Sequence, residues 1–119
     1  AWNDAYQNYL GVCPQDDVTG ILQDIHWSHG SFGYFPTYSL GSLYAAQLYA
    51  FAKQTIPNLE SAIEHGDTKD FLNWLRNSIH TFGRRYTSDE LCKLVTGSSL
   101  DTQYFFDYAH NKYKDIYKF

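Results

Sequence analysis

Apolar residues along this chain recur mainly at intervals of three and four, the spacing that places side chains on one face of an α-helix. The pattern is clearest over residues 37–56 and stops just before Pro57. A proline disfavours helical backbone at the residue preceding it, so we expect a long helix that ends here. Its predicted buried face carries Leu40, Tyr44, Leu48, Phe51 and Ala52.

Glycines mark the predicted ends of the other helices, because glycine readily adopts the left-handed backbone that terminates a helix. These helices cover residues 2–10, 58–65, 67–82 and 87–96, and the glycines that follow them are Gly11, Gly66, Gly83 and Gly97. A last helix, with its own apolar stripe, is predicted to begin at Ser99 or Asp101.

Residues 87–90, Thr-Ser-Asp-Glu, have the form of a capping box. In that arrangement the Thr87 hydroxyl accepts a hydrogen bond from the backbone N–H of Glu90, and the Glu90 carboxylate accepts one from the backbone N–H of Thr87. The pattern therefore predicts a helix that starts directly after Thr87.

Residues 26–38 interrupt the helical pattern with Gly30, Gly33 and Pro36 among aromatic residues, a composition that favours an ordered loop. The preceding residues 18–27 are predicted to form a short helix that runs into irregular backbone. The chain has no internal repeat, and its connections are short. We therefore predict an all-α fold, a single helical unit over residues 1–119 with one long glycine- and aromatic-rich loop.

Charge and composition exclude one class of partner and describe the core. The formal net charge is −4 and no long run of Lys or Arg occurs, so the chain lacks the basic surface that binding to nucleic-acid phosphates requires. Aromatic residues make up 18% of the chain, so aromatic burial is expected to supply much of the core.

Several features bear on the compartment. No apolar stretch approaches the roughly 20 residues of a membrane span, so no membrane association is predicted. Cys13 and Cys92 form neither a metal-binding spacing nor a disulfide framework, which favours a reducing cytoplasm. The chain begins with Ala1, contains no methionine and shows no signal-peptide pattern. We therefore expect a cytoplasmic fragment of a longer protein.

The densest group of hydrogen-bonding side chains lies at residues 20–27, Gly-Ile-Leu-Gln-Asp-Ile-His-Trp. An amide, a carboxylate and an imidazole stand here within four residues, beside a tryptophan able to exclude water. This segment matches G-x-x-Q-D-x-H-W, the signature of the thermostable carboxypeptidase family, at every fixed position. The chain thus resembles the zinc enzymes similar to carboxypeptidase Taq.

The resemblance covers nearly all 119 residues. It continues through the loop at residues 28–38, through Leu40-Gly41 and residues 43–48, and through Ile79-His80, residues 83–86, Thr96-Gly97 and Tyr113. An eight-residue signature followed by a long matching loop is far more specific than a lone glycine motif. The chain is therefore identified as a member of this family, and as its C-terminal part.

The resemblance implies a zinc enzyme whose metal is bound outside this chain. In the family, two histidines of an H-E-x-x-H helix bind zinc, which cobalt can replace, and the intervening glutamate activates water. This chain has no such motif, and none of its five histidines is paired at i, i+4 spacing. We expect no metal ligand here, and zinc bound by an upstream part.

The signature and the following loop are expected to form the wall that faces the zinc, because imidazole and phenol groups can donate hydrogen bonds to the oxyanion of peptide hydrolysis. The spacing of His29, Gly30 and Tyr34 also resembles, more loosely, a loop of thimet-oligopeptidase-like peptidases that contacts the scissile carbonyl. We predict catalytic contacts for His26, His29 and Tyr34, and substrate-binding or orienting roles for Gln23, Asp24, Trp27, Gly33 and Tyr38.

The resemblance implies that the full-length protein is a metallocarboxypeptidase that releases C-terminal amino acids from peptides, and that it forms a homodimer. The fragment alone is expected to be inactive, since its metal-binding half is missing. One alternative belongs to another class: a non-catalytic helical module that associates with itself through aromatic surface. A separate alternative for Tyr34 and Tyr38 is that they are packing residues at the start of the long helix, as tyrosines in an aromatic-rich chain commonly are.

Overall fold

The computed structural model describes residues 1–118, apart from the side chain of Asp115, and contains helices and loops but no strand in that range. The predicted all-α fold is therefore confirmed. In chain order the α-helices are α1 (Trp2–Leu10), α2 (Ile25–Ser28), α3 (Thr37–Thr55), α4 (Leu59–Glu64), α5 (Lys69–Ser78), α6 (Ser88–Thr96) and α7 (Gln103–Tyr117), and two 3-10 helices cover Ile21–Gln23 and His80–Phe82.

The chain divides into two compact units, Ala1–Tyr38 and the residues from Ser39 onward. The first unit contains α1, the first 3-10 helix, α2 and the predicted loop, and α3 begins at its end. The second unit contains the rest of α3 and α4 to α7. The single helical unit expected over residues 1–119 stays a prediction.

The first unit is built around short-range contacts. The rings of Trp2 and Tyr6, one turn apart on α1, stack with their centroids 4.5 Å apart. α1 ends as predicted at Gly11, whose φ of 71° allows its N–H to donate to the carbonyl of Gln7. Among residues 1–38 only Gly20 is buried, so this unit leaves most of its apolar side chains exposed.

The second unit contains the core. Among the residues of this unit whose burial the structure describes, the buried ones are Gln47, Ala52, Leu59 and Cys92. Aromatic packing also contributes, with the rings of Tyr49 on α3 and Phe71 on α5 meeting edge to face at 5.9 Å. The sequence did not identify Gln47 as a core residue, because a glutamine is normally exposed.

The predicted capping box is confirmed at the start of α6. The backbone N–H of Thr87 donates to Glu90 Oε2 over 2.8 Å, and the N–H of Glu90 donates to Thr87 Oγ1 over 3.3 Å. The Thr87 backbone and hydroxyl donors hold the pKa of Glu90 below its ordinary value. α6 ends at Gly97, where φ is 81°.

The largest difference from the predicted helix boundaries is at the end of α5. The apolar pattern indicated a helix up to Gly83, but α5 ends at Ser78 and a 3-10 helix, His80–Phe82, fills the interval. Gly83 then reverses the chain with φ 54°. The apolar periodicity alone does not distinguish an α-helix from a 3-10 helix, since side chains three residues apart share a face in both.

None of the helices in residues 1–118 has the length and apolar character that crossing a lipid bilayer requires.

Candidate functional site

The signature segment starts from a turn held by Asp16 and Thr19. Oδ1 of Asp16 accepts hydrogen bonds from the backbone N–H and from the hydroxyl of Thr19, each 2.8 Å long. These two donors, the backbone N–H foremost, hold the pKa of Asp16 below its ordinary value. The turn brings the chain to Gly20 and the 3-10 helix that follows.

Gly20 is a glycine for steric reasons. It is buried, and a Cβ at this position would lie 3.0 Å from the carbonyl oxygen of Asp16, 3.1 Å from the Trp2 ring and 3.2 Å from Cβ of Pro14. No larger side chain fits without moving backbone. The first fixed position of the signature therefore serves packing.

Gln23 stabilises the same turn. Its side-chain Nε2 donates to the carbonyl oxygen of Val18 over 2.6 Å. The bond joins the end of the 3-10 helix to the residues before it, so the partner of Gln23 is a backbone carbonyl and not a histidine ring. Gln23 thus holds the turn that precedes Asp24.

Asp24 caps α2 and holds the ring of His26. Its Oδ1 accepts from the backbone N–H of His26 over 2.9 Å and contacts His26 Nδ1 at 2.7 Å. Partial desolvation acts to raise the pKa of Asp24, but the side-chain and backbone donors of His26, with the nearby His29, bring it below its ordinary value. Asp24 is therefore ionised at neutral pH.

His26 lies at the centre of an aromatic cluster. Its side chain is only 13% exposed, and its ring centroid lies 5.4 Å from that of Tyr34, 5.6 Å from that of Phe35 and 5.7 Å from that of Tyr38. Nε2 is 3.3 Å from the Tyr38 hydroxyl. The three groups Asp24, His26 and Tyr38 thus form a hydrogen-bonded chain.

His29 is held separately, on the exposed side of the cluster. Its Nδ1 lies 3.0 Å from Oγ of Ser31, and its ring meets that of His26 edge to face at 5.6 Å. Ser31 also donates its backbone N–H to the carbonyl of His26 over 2.8 Å. Ser31 therefore contacts both histidines, and sequence reasoning missed it because a serine beside glycines is commonplace.

The loop places Tyr34 against His26 through two left-handed residues, Gly30 with φ 82° and Gly33 with φ 78°. No Cβ clash explains either glycine, so their positive φ is what requires them. The Thr37 hydroxyl donates to the Tyr34 carbonyl over 2.6 Å and joins the loop to the start of α3. Tyr34 itself is 51% exposed.

Trp27 and Phe35 have different ring contacts. The Trp27 ring lies near Phe32, with centroids 6.3 Å apart, and remains partly exposed. Phe35, which was not among the predicted site residues, contacts the rings of both His26 and Tyr38. Its position in a phenylalanine-rich loop gave no signal that would have separated it from its neighbours.

The structure thus gathers Asp24, His26, His29, Tyr34 and Tyr38 into one cluster within the first unit. The cluster combines one carboxylate with two imidazoles and two phenols. Tyr34, Tyr38 and His29 are exposed, so a ligand can reach their polar atoms. The arrangement can donate and accept hydrogen bonds, which suits recognition of a carbonyl or an oxyanion.

The donor set in residues 1–118 does not fit a metal site. No group of three or more His, Cys, Asp or Glu side chains in that range is arranged to hold an ion. His26 and His29 lie close to each other, but their Nδ1 atoms face Asp24 and Ser31. No step of the chemistry is therefore assigned to a metal held by these residues.

Comparison with known proteins gives consistent results. The family model described as Carboxypeptidase Taq (M32) metallopeptidase matches residues 1–113. Carboxypeptidase 1 of Bacillus subtilis is 43% identical over 116 residues, which are 98% of this chain and 23% of that protein. Thermostable carboxypeptidase 1 of Pyrococcus furiosus is 44% identical over 112 residues, which are 94% of this chain and 22% of that protein.

Solved structures agree with this likeness. The M32 carboxypeptidase of Deinococcus radiodurans superimposes with a TM-score of 0.91 at 36% identity, over 99% of this chain and 24% of that one. The chain therefore spans less than a quarter of the length of the relatives that it matches. Since the family model covers nearly the whole chain, the chain belongs to the carboxypeptidase Taq (M32) family of metallopeptidases.

Proposed function

We propose that this chain is the C-terminal part of the catalytic domain of a zinc-dependent metallocarboxypeptidase, which releases C-terminal amino acids from peptides. Membership of the M32 family supports the reaction class, and the relatives are named carboxypeptidases. The single observation that carries the local role is the cluster in which Asp24, His26 and Tyr38 are hydrogen-bonded beside His29 and Tyr34.

The cluster is proposed to supply the substrate and oxyanion side of the active site. His26, His29 and Tyr34 are assigned the catalytic contacts, because they bring two imidazoles and a phenol together in one cluster, in which His29 and Tyr34 are exposed to an approaching ligand. Asp24 and Gln23 orient them, directly and through the turn. Trp27, Gly33 and Tyr38 complete the substrate-binding surface.

Zinc, or cobalt in its place, is proposed to be bound by an upstream part of the longer protein. When bound, such an ion lowers the pKa of a water molecule and polarises the peptide carbonyl. The residues described here would act on the other side of that carbonyl, by donating hydrogen bonds to the oxygen as negative charge develops on it. The isolated chain is then inactive.

The full-length enzyme is proposed to act on peptides with a free C-terminus, with neither nucleic acid nor a membrane as a partner. The free thiols of Cys13 and Cys92 support a cytoplasmic location. The full-length protein is proposed to be a homodimer.

One observation favours the alternative, a helical module that associates with itself. The first unit exposes large apolar side chains, among them Tyr9 at 85% and Phe32 at 75%. Apolar surface of this kind marks an interaction site or an aggregation hazard. Hydrolysis of a blocked dipeptide by the isolated chain with added zinc or cobalt tests the fragment proposal: catalysis would contradict it, and the absence of hydrolysis would agree with it.

The substitution Tyr34→Phe in the full-length enzyme tests the catalytic assignment. Loss of an oxyanion donor lowers kcat by about 100- to 1,000-fold. We expect a fall in that range with little change in KM, because the hydroxyl acts mainly in the transition state. The matched control is Tyr9→Phe on α1, which removes a hydroxyl from an exposed tyrosine outside the cluster. A kcat equal to wild type in Tyr34→Phe would remove Tyr34 from the catalytic set.

A further inference from the structure

The two histidines of the cluster have different partners at the same ring atom. Nδ1 of His26 faces the carboxylate of Asp24 at 2.7 Å, whereas Nδ1 of His29 faces the hydroxyl of Ser31 at 3.0 Å. A carboxylate that is ionised can only accept hydrogen bonds, while a hydroxyl can either donate or accept. The two imidazoles are therefore constrained differently.

His26 has its tautomer determined by Asp24. Since the carboxylate only accepts, Nδ1 of His26 must carry the proton that makes the 2.7 Å bond. A neutral imidazole has a single N–H, so Nε2 is then a bare acceptor. The contact between Nε2 and the Tyr38 hydroxyl, 3.3 Å long, must in this state be a bond that Tyr38 donates.

His29 and Tyr34 keep their donors available. If Ser31 donates its hydroxyl proton to Nδ1 of His29, the neutral ring carries its own proton on Nε2. Within residues 1–118 the hydroxyl of Tyr34 makes no hydrogen bond, and the side chain is half exposed. Both groups can therefore donate to a ligand without giving up a bond inside the protein.

We propose that Asp24 fixes neutral His26 in the tautomer protonated at Nδ1, so that Tyr38 donates to His26 Nε2 and donation to the substrate oxygen falls to His29 and Tyr34. Asp24 and Ser31 are then positioning residues that give the two histidines different roles. The inference rests on the proposed function. It adds that His29 and Tyr34 donate to the substrate oxygen, whereas His26 accepts a hydrogen bond from Tyr38.

Nitrogen NMR of the full-length enzyme, with 15N-labelled histidine, tests this assignment directly. Spectra are recorded over an alkaline pH series, and the tautomer is read where the histidine signals no longer change with pH. The substitution His26→Gln identifies the His26 signals by their loss. We expect a protonated, pyrrole-type Nδ1 and a pyridine-type Nε2 for His26, and a protonated Nε2 for His29.

In Asp24→Asn both tautomers of His26 should be populated, because the Asn amide can donate a hydrogen bond to Nδ1 as well as accept one from it. It should also lower kcat by about 10- to 100-fold, as removal of an orienting partner commonly does. Ser31→Ala should change the His29 signals and leave those of His26 unaltered. The control Asp17→Asn removes the same charge from an exposed position that does not contact His26, and both its spectrum and its kcat should match wild type.

A wild-type spectrum with the His26 proton on Nε2 would overturn the inference, and so would identical His26 signals in wild type and in folded Asp24→Asn. The wild-type spectrum by itself establishes which nitrogen of His26 carries the proton, even if Asp24→Asn does not fold. Because these signals do not depend on turnover, an unaffected kcat in Tyr34→Phe would contradict the donor role that the proposed function gives to Tyr34, while leaving the tautomer of His26 and the role of Asp24 intact.

Discussion

Gln47 and Asp101 are joined by a hydrogen bond 2.8 Å long, in which the backbone N–H of Asp101 donates to Oε1 of Gln47. On its other side, Nε2 of Gln47 lies 3.1 Å from each of three acceptors. These are Thr96 Oγ1, Ser98 Oγ and the carbonyl of Ser99. Gln47 is fully buried, and its side chain on α3 forms hydrogen bonds with three residues of the connection between α6 and α7, namely Ser98, Ser99 and Asp101.

The substitution Gln47→Leu should destabilise the protein markedly. A leucine fills a similar volume but removes the part-buried hydrogen bonds to the N–H of Asp101 and the carbonyl of Ser99, at about 1 kcal/mol for each bond. Urea unfolding of the full-length protein measures the difference. The control is Gln54→Leu on the exposed side of α3, expected within about 0.5 kcal/mol of wild type. Equal losses from both variants would contradict the role given to Gln47.

Gly20 and Gly41 should respond in opposite directions to substitution by alanine. At Gly20 the new Cβ meets the Asp16 carbonyl oxygen at 3.0 Å, and overpacking of this kind costs about 1–3 kcal/mol. At Gly41, inside α3, nothing lies within 4 Å of the new Cβ, so Gly41→Ala should stabilise by up to about 1 kcal/mol through helix propensity. Thermal midpoints of the two variants give the comparison, and a stabilised Gly20→Ala would refute the packing argument.

Removing the capping hydroxyl at Thr87 should weaken α6. Thr87→Ala deletes the acceptor for the backbone N–H of Glu90, a change that typically costs about 1 kcal/mol. Thr87→Ser keeps the hydroxyl and should stay close to wild type, which makes it the matched control. The free energy of unfolding from denaturant titrations of the three proteins is the measurement. No difference between Ala and Ser would argue against the capping box.

Asp24 should contribute to a loss of stability in acid. The pKa of Asp24 is lower in the folded than in the unfolded protein. Its carboxylate therefore contributes fully to the free energy of unfolding above the unfolded pKa, about 3.9, and this contribution is lost as the pH falls through the lower folded pKa. The unfolding free energy of wild type should therefore drop more steeply over that interval than that of Asp24→Asn. Asp17→Asn, which removes the same negative charge from an exposed position, serves as the control. Parallel pH curves for wild type and Asp24→Asn would show that the carboxylate is not held as described.

The sequence by itself determined the features that depend on neighbours in the chain. The capping box needs only Thr87 and Glu90 three residues apart, and Gly11 and Gly97 end their helices through their own backbone freedom. The signature at residues 20–27 identified the family for the same reason, since its residues are contiguous.

The tertiary structure decided what depends on partners distant in the chain or on packing. Gln47 is buried because its amide meets acceptors about fifty positions later, which no periodicity predicts. The contacts of His26 with Tyr38 and Phe35 require the loop to fold back, and Gln23 turned out to hold a carbonyl. A sequence pattern states which groups are present, but only the folded backbone determines which donor faces which acceptor.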